Sequence, residues 1–122
     1  MKPHILFADD DAGVRELLSE YFKAKGFDVT LATGGREAME LGDTMRFDLA
    51  ILDINLAGEN GLELLGYFRT NFPKLPVVMF TGLPGEENLL EQAMARGASG
   101  FMRKTDPLDD LLAAVKVYVP RS

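Results

Sequence analysis

Five short apolar, partly β-branched runs recur along the chain, and each is followed by a longer segment whose apolar residues return at helical spacing. The runs are His4 to Asp9, Phe27 to Ala32, Leu49 to Asp53, Pro76 to Thr81 and Ser99 to Met102. Between them, Val14, Leu17, Leu18, Tyr21 and Phe22 fall on one helical face, as do Leu62, Leu65 and Phe68, and Leu89, Ala93 and Met94. Breakers separate the segments: Gly26 after the first, Gly34 and Gly35 before the second, Asn60 and Gly61 before the third, Pro84 and Gly85 before the fourth, and Gly97 after it. Such an alternation predicts an α/β fold built on a mostly parallel sheet. Parallel strands need crossover connections, and right-handed crossovers place helices on both faces.

The 122 residues suit one hydrophobic core, so residues 1–119 are expected to form one domain, with 120–122 a short tail and no effector domain behind it. At 47% hydrophobic and 26% charged residues, the composition excludes disorder. Thirteen Lys and Arg against nineteen Asp and Glu leave a net charge of -6, which disfavours direct contact with nucleic acid or an anionic membrane. The absence of cysteine removes disulfides, thiolate metal sites and a thiol nucleophile. No run approaches the roughly 18 apolar residues of a membrane span, and the N-terminus is too brief and too acidic for a signal peptide. A soluble, cytoplasmic chain is the expectation.

In a parallel sheet the strand C-termini gather along one edge, where open α/β proteins bind ligands. Here the first strand ends in Asp9, Asp10 and Asp11, the third in Asp53, the fourth in Thr81, and Lys104 follows the last. Taken singly, Asp11 reads as a helix N-cap, Thr81 as a capping or turn residue and Lys104 as a surface lysine. Asp53 is different, because it closes the apolar run Leu49-Ala50-Ile51-Leu52, where an unpartnered carboxylate is costly to desolvate. If the first and third strands are neighbours, Asp9, Asp10 and Asp53 share a small volume. Two carboxylates about 5 Å apart then repel by roughly 3 kcal/mol at an effective dielectric of about 20. A hard divalent cation with oxygen ligands, Mg²⁺ before others, relieves that repulsion and favours a phosphoryl group.

With Asp9-Asp10, Asp53, Thr81 and Lys104 at these spacings on these strand ends, the chain resembles the receiver domain of two-component response regulators over residues 3 to 118. The resemblance implies a five-stranded parallel sheet of order 2-1-3-4-5, flavodoxin-like and doubly wound with five helices. It implies Asp53 as the nucleophile accepting a phosphoryl group from a sensor histidine kinase or a histidine phosphotransfer protein. Asp10 would bind Mg²⁺ directly, Asp9 largely through water, and the Asn55 carbonyl would be a further ligand. Thr81 and Lys104 would contact the phosphoryl oxygens. Such a protein is a signalling phosphoacceptor that catalyses only its own phosphorylation and slow dephosphorylation. Thr81 and Phe101 would form a switch, with Phe101 turning inward as Thr81 moves toward the phosphoryl group. The face of the fourth helix, fifth strand and fifth helix would then be read by a downstream effector protein or by a phosphorylation-dependent homodimer.

The sequence departs from the family where Thr105 follows Lys104 in place of proline, leaving open whether that peptide is cis, and where Ala57 replaces a common proline. The resemblance associates Asn55, two residues after Asp53, and Leu83, two after Thr81, with access of the attacking water; Leu83 cannot hydrogen-bond that water, so the acyl phosphate is expected to outlive that of a Leu83→Glu variant. A dehalogenase-type phosphatase would want a second Asp at position 55, where Asn55 stands, and a flavin binder would want a Ser, Thr and Gly loop where Asp9-Asp10-Asp11 lies. A receiver fold signalling by contact without phosphorylation is the alternative reading. His4, at the far end of the first strand, reads as structural.

Overall fold

In a computed structural model, which describes residues 2–56, 59–82 and 85–119, the five apolar runs become five parallel strands. They are β1 (His4–Ala8), β2 (Asp28–Ala32), β3 (Leu49–Asp53), β4 (Val77–Thr81) and β5 (Gly100–Arg103). They pair in the order 2-1-3-4-5, as the resemblance implied. Five helices connect and flank them: α1 (Ala12–Ala24), α2 (Gly35–Thr44), α3 (Gly61–Asn71), α4 (Glu87–Ala95) and α5 (Leu108–Tyr118). Among the described residues no helix is long and apolar enough to cross a membrane.

Because successive strand side chains point to opposite faces, the continuous apolar runs feed two cores. Leu6, Ala8, Ala50, Leu52 and Met79 join Leu65 and Phe68 of α3 and Leu90 and Ala93 of α4 on one face. Ile5, Phe7, Ile51, Val78 and Phe80 join Leu18 and Phe22 of α1 and Leu111 and Val115 of α5 on the other. The central strand β3 is buried along its whole length, which is why it reads as an unbroken apolar run rather than an alternation.

Asp11 caps α1 as expected, accepting a hydrogen bond from the Val14 amide at 3.2 Å. The apolar stripes of the sequence are wider than the faces the sheet covers. Leu17 in α1 and Met94 in α4 are exposed, while Leu90, outside the stripe assigned from spacing, is buried. Between β3 and α3 a two-residue antiparallel ladder, Asn55–Leu56 against Glu59–Asn60, precedes Gly61 at the start of α3. Among the described residues no peptide bond is cis, so the Lys104-Thr105 bond is trans.

His4 is structural. Its ring nitrogens lie 3.0 Å from the Arg46 carbonyl oxygen and 2.6 Å from the Thr30 hydroxyl, and its ring packs on Phe47 at the edge opposite the strand C-termini.

Candidate functional site

Register assembles the site. Ala8 of β1 stands opposite Leu52 of β3, so Asp9 and Asp53, each one residue further on, emerge side by side. Thr81 of β4 stands opposite Arg103 of β5, which brings Lys104 to the same edge. The Lys104 amide donates to the Thr81 carbonyl at 2.7 Å, and Arg15 of α1 donates from its guanidinium to the Asp9 carbonyl at 2.8 Å.

Asp9, Asp10 and Asp53 each present a carboxylate oxygen, all within 4.8 Å of one another; Asp9 and Asp53 are buried and Asp10 is exposed. The Lys104 ammonium sits between the buried pair, 2.8 Å from Asp9 Oδ2 and 3.1 Å from Asp53 Oδ2. The other oxygens accept backbone amides, Asp9 Oδ1 from Asp11 at 2.9 Å and Asp53 Oδ1 from Asn55 at 3.1 Å. Sequence reasoning made a metal ion the answer to carboxylate repulsion. The fold supplies a counter-charge of its own, because Lys104 reaches back across the β4 terminus.

The compensation at Asp53 is partial. Burial, reinforced by the Asp9 charge, outweighs the Asn55 amide and Lys104 and pushes its pKa from 3.8 up to about 6. Burial pulls the other way on Lys104, but its two carboxylate partners prevail and hold its pKa above the ordinary lysine value. Asp9 Oδ2 is buried and, among the described residues, receives no well-oriented hydrogen bond, the Lys104 ammonium at 2.8 Å meeting its charge. An all-oxygen anionic set with one such under-used buried atom fits a hard divalent cation of the Mg²⁺ kind.

Thr81 is buried at the end of β4, and its hydroxyl donates to the carboxylate of Glu86, itself buried just before α4. Phe101 points outward in β5, 44% exposed, with the Arg103 guanidinium 5.4 Å from its ring centroid. Asn55 is exposed in the two-residue ladder. Leu83 and Ala57 lie outside the described residues.

Three contributors were not legible beforehand. Gly61 read as a helix breaker, yet a Cβ there would come within 2.7 Å of the Ile54 carbonyl oxygen and 2.8 Å of the Asp53 carbonyl oxygen. The start of α3 therefore packs directly on the backbone that carries Asp53. Gly82 lies under the Lys104 stem, where a Cβ would fall 2.7 Å from Cδ. Glu86, beside Glu87, looks in the sequence like ordinary acid at a helix start.

A five-stranded doubly wound sheet carrying paired carboxylates at β1, one at β3, a hydroxyl at β4 and a lysine after β5 defines the receiver class, and the chain belongs to the response regulator receiver domain family, whose model matches residues 5–116. It is 31% identical over 120 residues to sporulation initiation phosphotransferase F of Bacillus subtilis, covering 98% of this chain and 96% of that one. It is 29% identical to the cell cycle response regulator CtrA of Brucella ovis, of which it spans 50%. Among solved structures it is similar to the chemotaxis response regulator CheY4 of Vibrio cholerae (TM-score 0.87, 27% identity, 97% of this chain and 99% of that one). NtrX of Brucella abortus is similar too (TM-score 0.91, 30% identity, 98% of this chain), and there the chain spans 27% of the longer protein. The chain is thus a receiver domain of the two-component signalling kind.

Proposed function

We propose that Asp53 is the phosphoacceptor of this domain. The observation that carries the reading is the buried Asp53 carboxylate held 3.1 Å from Lys104 inside a cluster with Asp9 and Asp10. A carboxylate oxygen of Asp53 attacks the phosphorus of a phosphohistidine on a sensor histidine kinase or histidine phosphotransfer protein. The P–N bond breaks, its electron pair stays on the imidazole nitrogen, which takes up a proton, and an acyl phosphate remains on Asp53. With its pKa at about 6, Asp53 is largely ionised at neutral pH and so competent to attack.

Asp10, Asp53 and the Asn55 carbonyl, with Asp9 largely through water, would hold Mg²⁺, whose charge when bound offsets that of the carboxylates and the phosphoryl oxygens. Lys104, adjacent to the attacking carboxylate, pairs with a phosphoryl oxygen, and Thr81 donates its hydroxyl to another. Little covalent work is left to the protein beyond this positioning. Relocation of Thr81 and inward rotation of Phe101 would then alter the α4-β5-α5 face for a downstream effector protein or a second copy. Residues 1–119 act as the receiver, and the net charge of -6 argues against direct contact with nucleic acid or membrane. A cytoplasmic setting is part of the same reading.

Incubation with Mg²⁺ and acetyl phosphate, followed by intact mass, tests it. The wild type should gain one phosphoryl group and Asp53→Ala none. A wild type that stays unmodified while still binding a partner would favour the receiver fold acting by contact alone.

A further inference from the structure

Glu86 has no role in the phosphoryl transfer proposed above, yet it is 7% exposed and sits against the one hydroxyl the switch uses. It occupies the N-cap position of α4 with backbone angles of φ -88° and ψ 3°, and its side chain makes no capping hydrogen bond. Its carbonyl accepts from the Leu90 amide at 2.9 Å, so the backbone serves the helix while the carboxylate turns back to Thr81.

A threonine hydroxyl has a single proton to donate. In the resting chain that proton goes to Glu86, and a phosphoryl oxygen on Asp53, an acceptor only, can receive it only if Glu86 gives it up. We propose that Glu86 is a positioning residue that withholds the Thr81 hydroxyl from the phosphoryl group and so sets the threshold of the switch. The inference rests on the phosphoacceptor reading of Asp53.

The surroundings give the carboxylate an alternative. A cavity of about 210 Å³ counts Thr81, Glu86, Leu90 and Arg103 among its lining residues. Arg103 also lies over Phe101, the residue expected to turn inward. When Thr81 leaves, the guanidinium offers the buried carboxylate a positive neighbour, and in moving toward it would uncover the Phe101 ring. One carboxylate thus couples the hydroxyl on β4 to the aromatic on β5.

The test measures the affinity of the full chain for beryllofluoride, a tetrahedral phosphoryl mimic, in Mg²⁺, read by fluorine NMR as bound against free. Replacing the acceptor in Glu86→Ala should tighten binding roughly tenfold, the scale of a charge-assisted buried hydrogen bond. Glu86→Gln, which keeps the shape and a weaker neutral acceptor, should lie between. In a Thr81→Ala background, Glu86→Ala should change nothing, because there is no hydroxyl to release. Equal affinities of wild type, Glu86→Ala and Glu86→Gln overturn the inference while leaving Asp53 as acceptor. The same holds for a tightening of the same factor with Thr81 absent. A wild type that takes up neither beryllofluoride nor a phosphoryl group overturns both readings together.

Discussion

Replacing Asp53 by Asn removes a charge the fold tolerates poorly and keeps the shape. Asp53 is 3% exposed, and burial raises its pKa from 3.8 to about 6. At about 1.4 kcal/mol for each tenfold change in proton affinity, that rise corresponds to about 3 kcal/mol of folding free energy. Because the folded state binds the proton more tightly than the unfolded chain, the stabilisation is fully present below pH 3.8 and is lost as pH rises through about 6. Wild type at neutral pH has therefore lost it, whereas Asn has no proton to lose. In chelator, at about pH 7.5, Asp53→Asn should be more stable than wild type by up to about 3 kcal/mol, or roughly 4 °C in Tm for each kcal/mol. The advantage should shrink toward zero near pH 4. Added Mg²⁺ should stabilise wild type more than the variant and narrow the gap, since the ion loses a ligand in the variant. Thermal unfolding by circular dichroism across pH, with and without Mg²⁺, measures all three. An Asn variant no more stable than wild type at pH 7.5, or equally favoured at pH 4 and pH 7.5, would refute the claim that burial of charge dominates at Asp53.

Removing the counter-charge should act in the opposite direction. Lys104→Ala leaves Asp9 and Asp53 facing each other, and in chelator should cost about 2–3 kcal/mol at pH 8, below the figure for a fully buried pair because the lysine is partly exposed. The cost should fall as Asp53 takes up a proton below about pH 6, and urea unfolding giving the same loss at pH 8 and pH 5 would exclude this account. Gly61→Ala should impair site and stability together, since its Cβ would press on the Asp53 and Ile54 carbonyl oxygens. A loss of about 2 kcal/mol or more, with phosphoryl uptake from acetyl phosphate reduced at least tenfold, is expected. Wild-type behaviour in both assays would show that α3 can withdraw from β3 without disturbing the acceptor.

The elements were legible because each depends on local pattern. Apolar runs buried on both faces could only be central strands, and Asp11 could be read as a cap from its place before an apolar-periodic segment. Misreadings came at the edges of those patterns. Leu17 shares a stripe with Leu18 but falls beyond the reach of the sheet, and helical spacing carries no measure of how wide the covered face is. Asp9, Asp10, Asp53, Thr81 and Lys104 could be placed at one sheet edge from their position after strands. Their individual partners could not.

The order of short-range signals along the chain determined that this is a parallel α/β domain with acids, a hydroxyl and a lysine at its strand ends. Hydrophobic periodicity and turn chemistry act within a few residues and are written directly into the sequence. Only the tertiary structure decided that Lys104 bridges Asp9 to Asp53, that Asp53 holds its proton to about pH 6, and that Glu86 accepts from Thr81. Those depend on strand register and on how deeply each charge is removed from water, which are properties of residues brought together from distant parts of the chain.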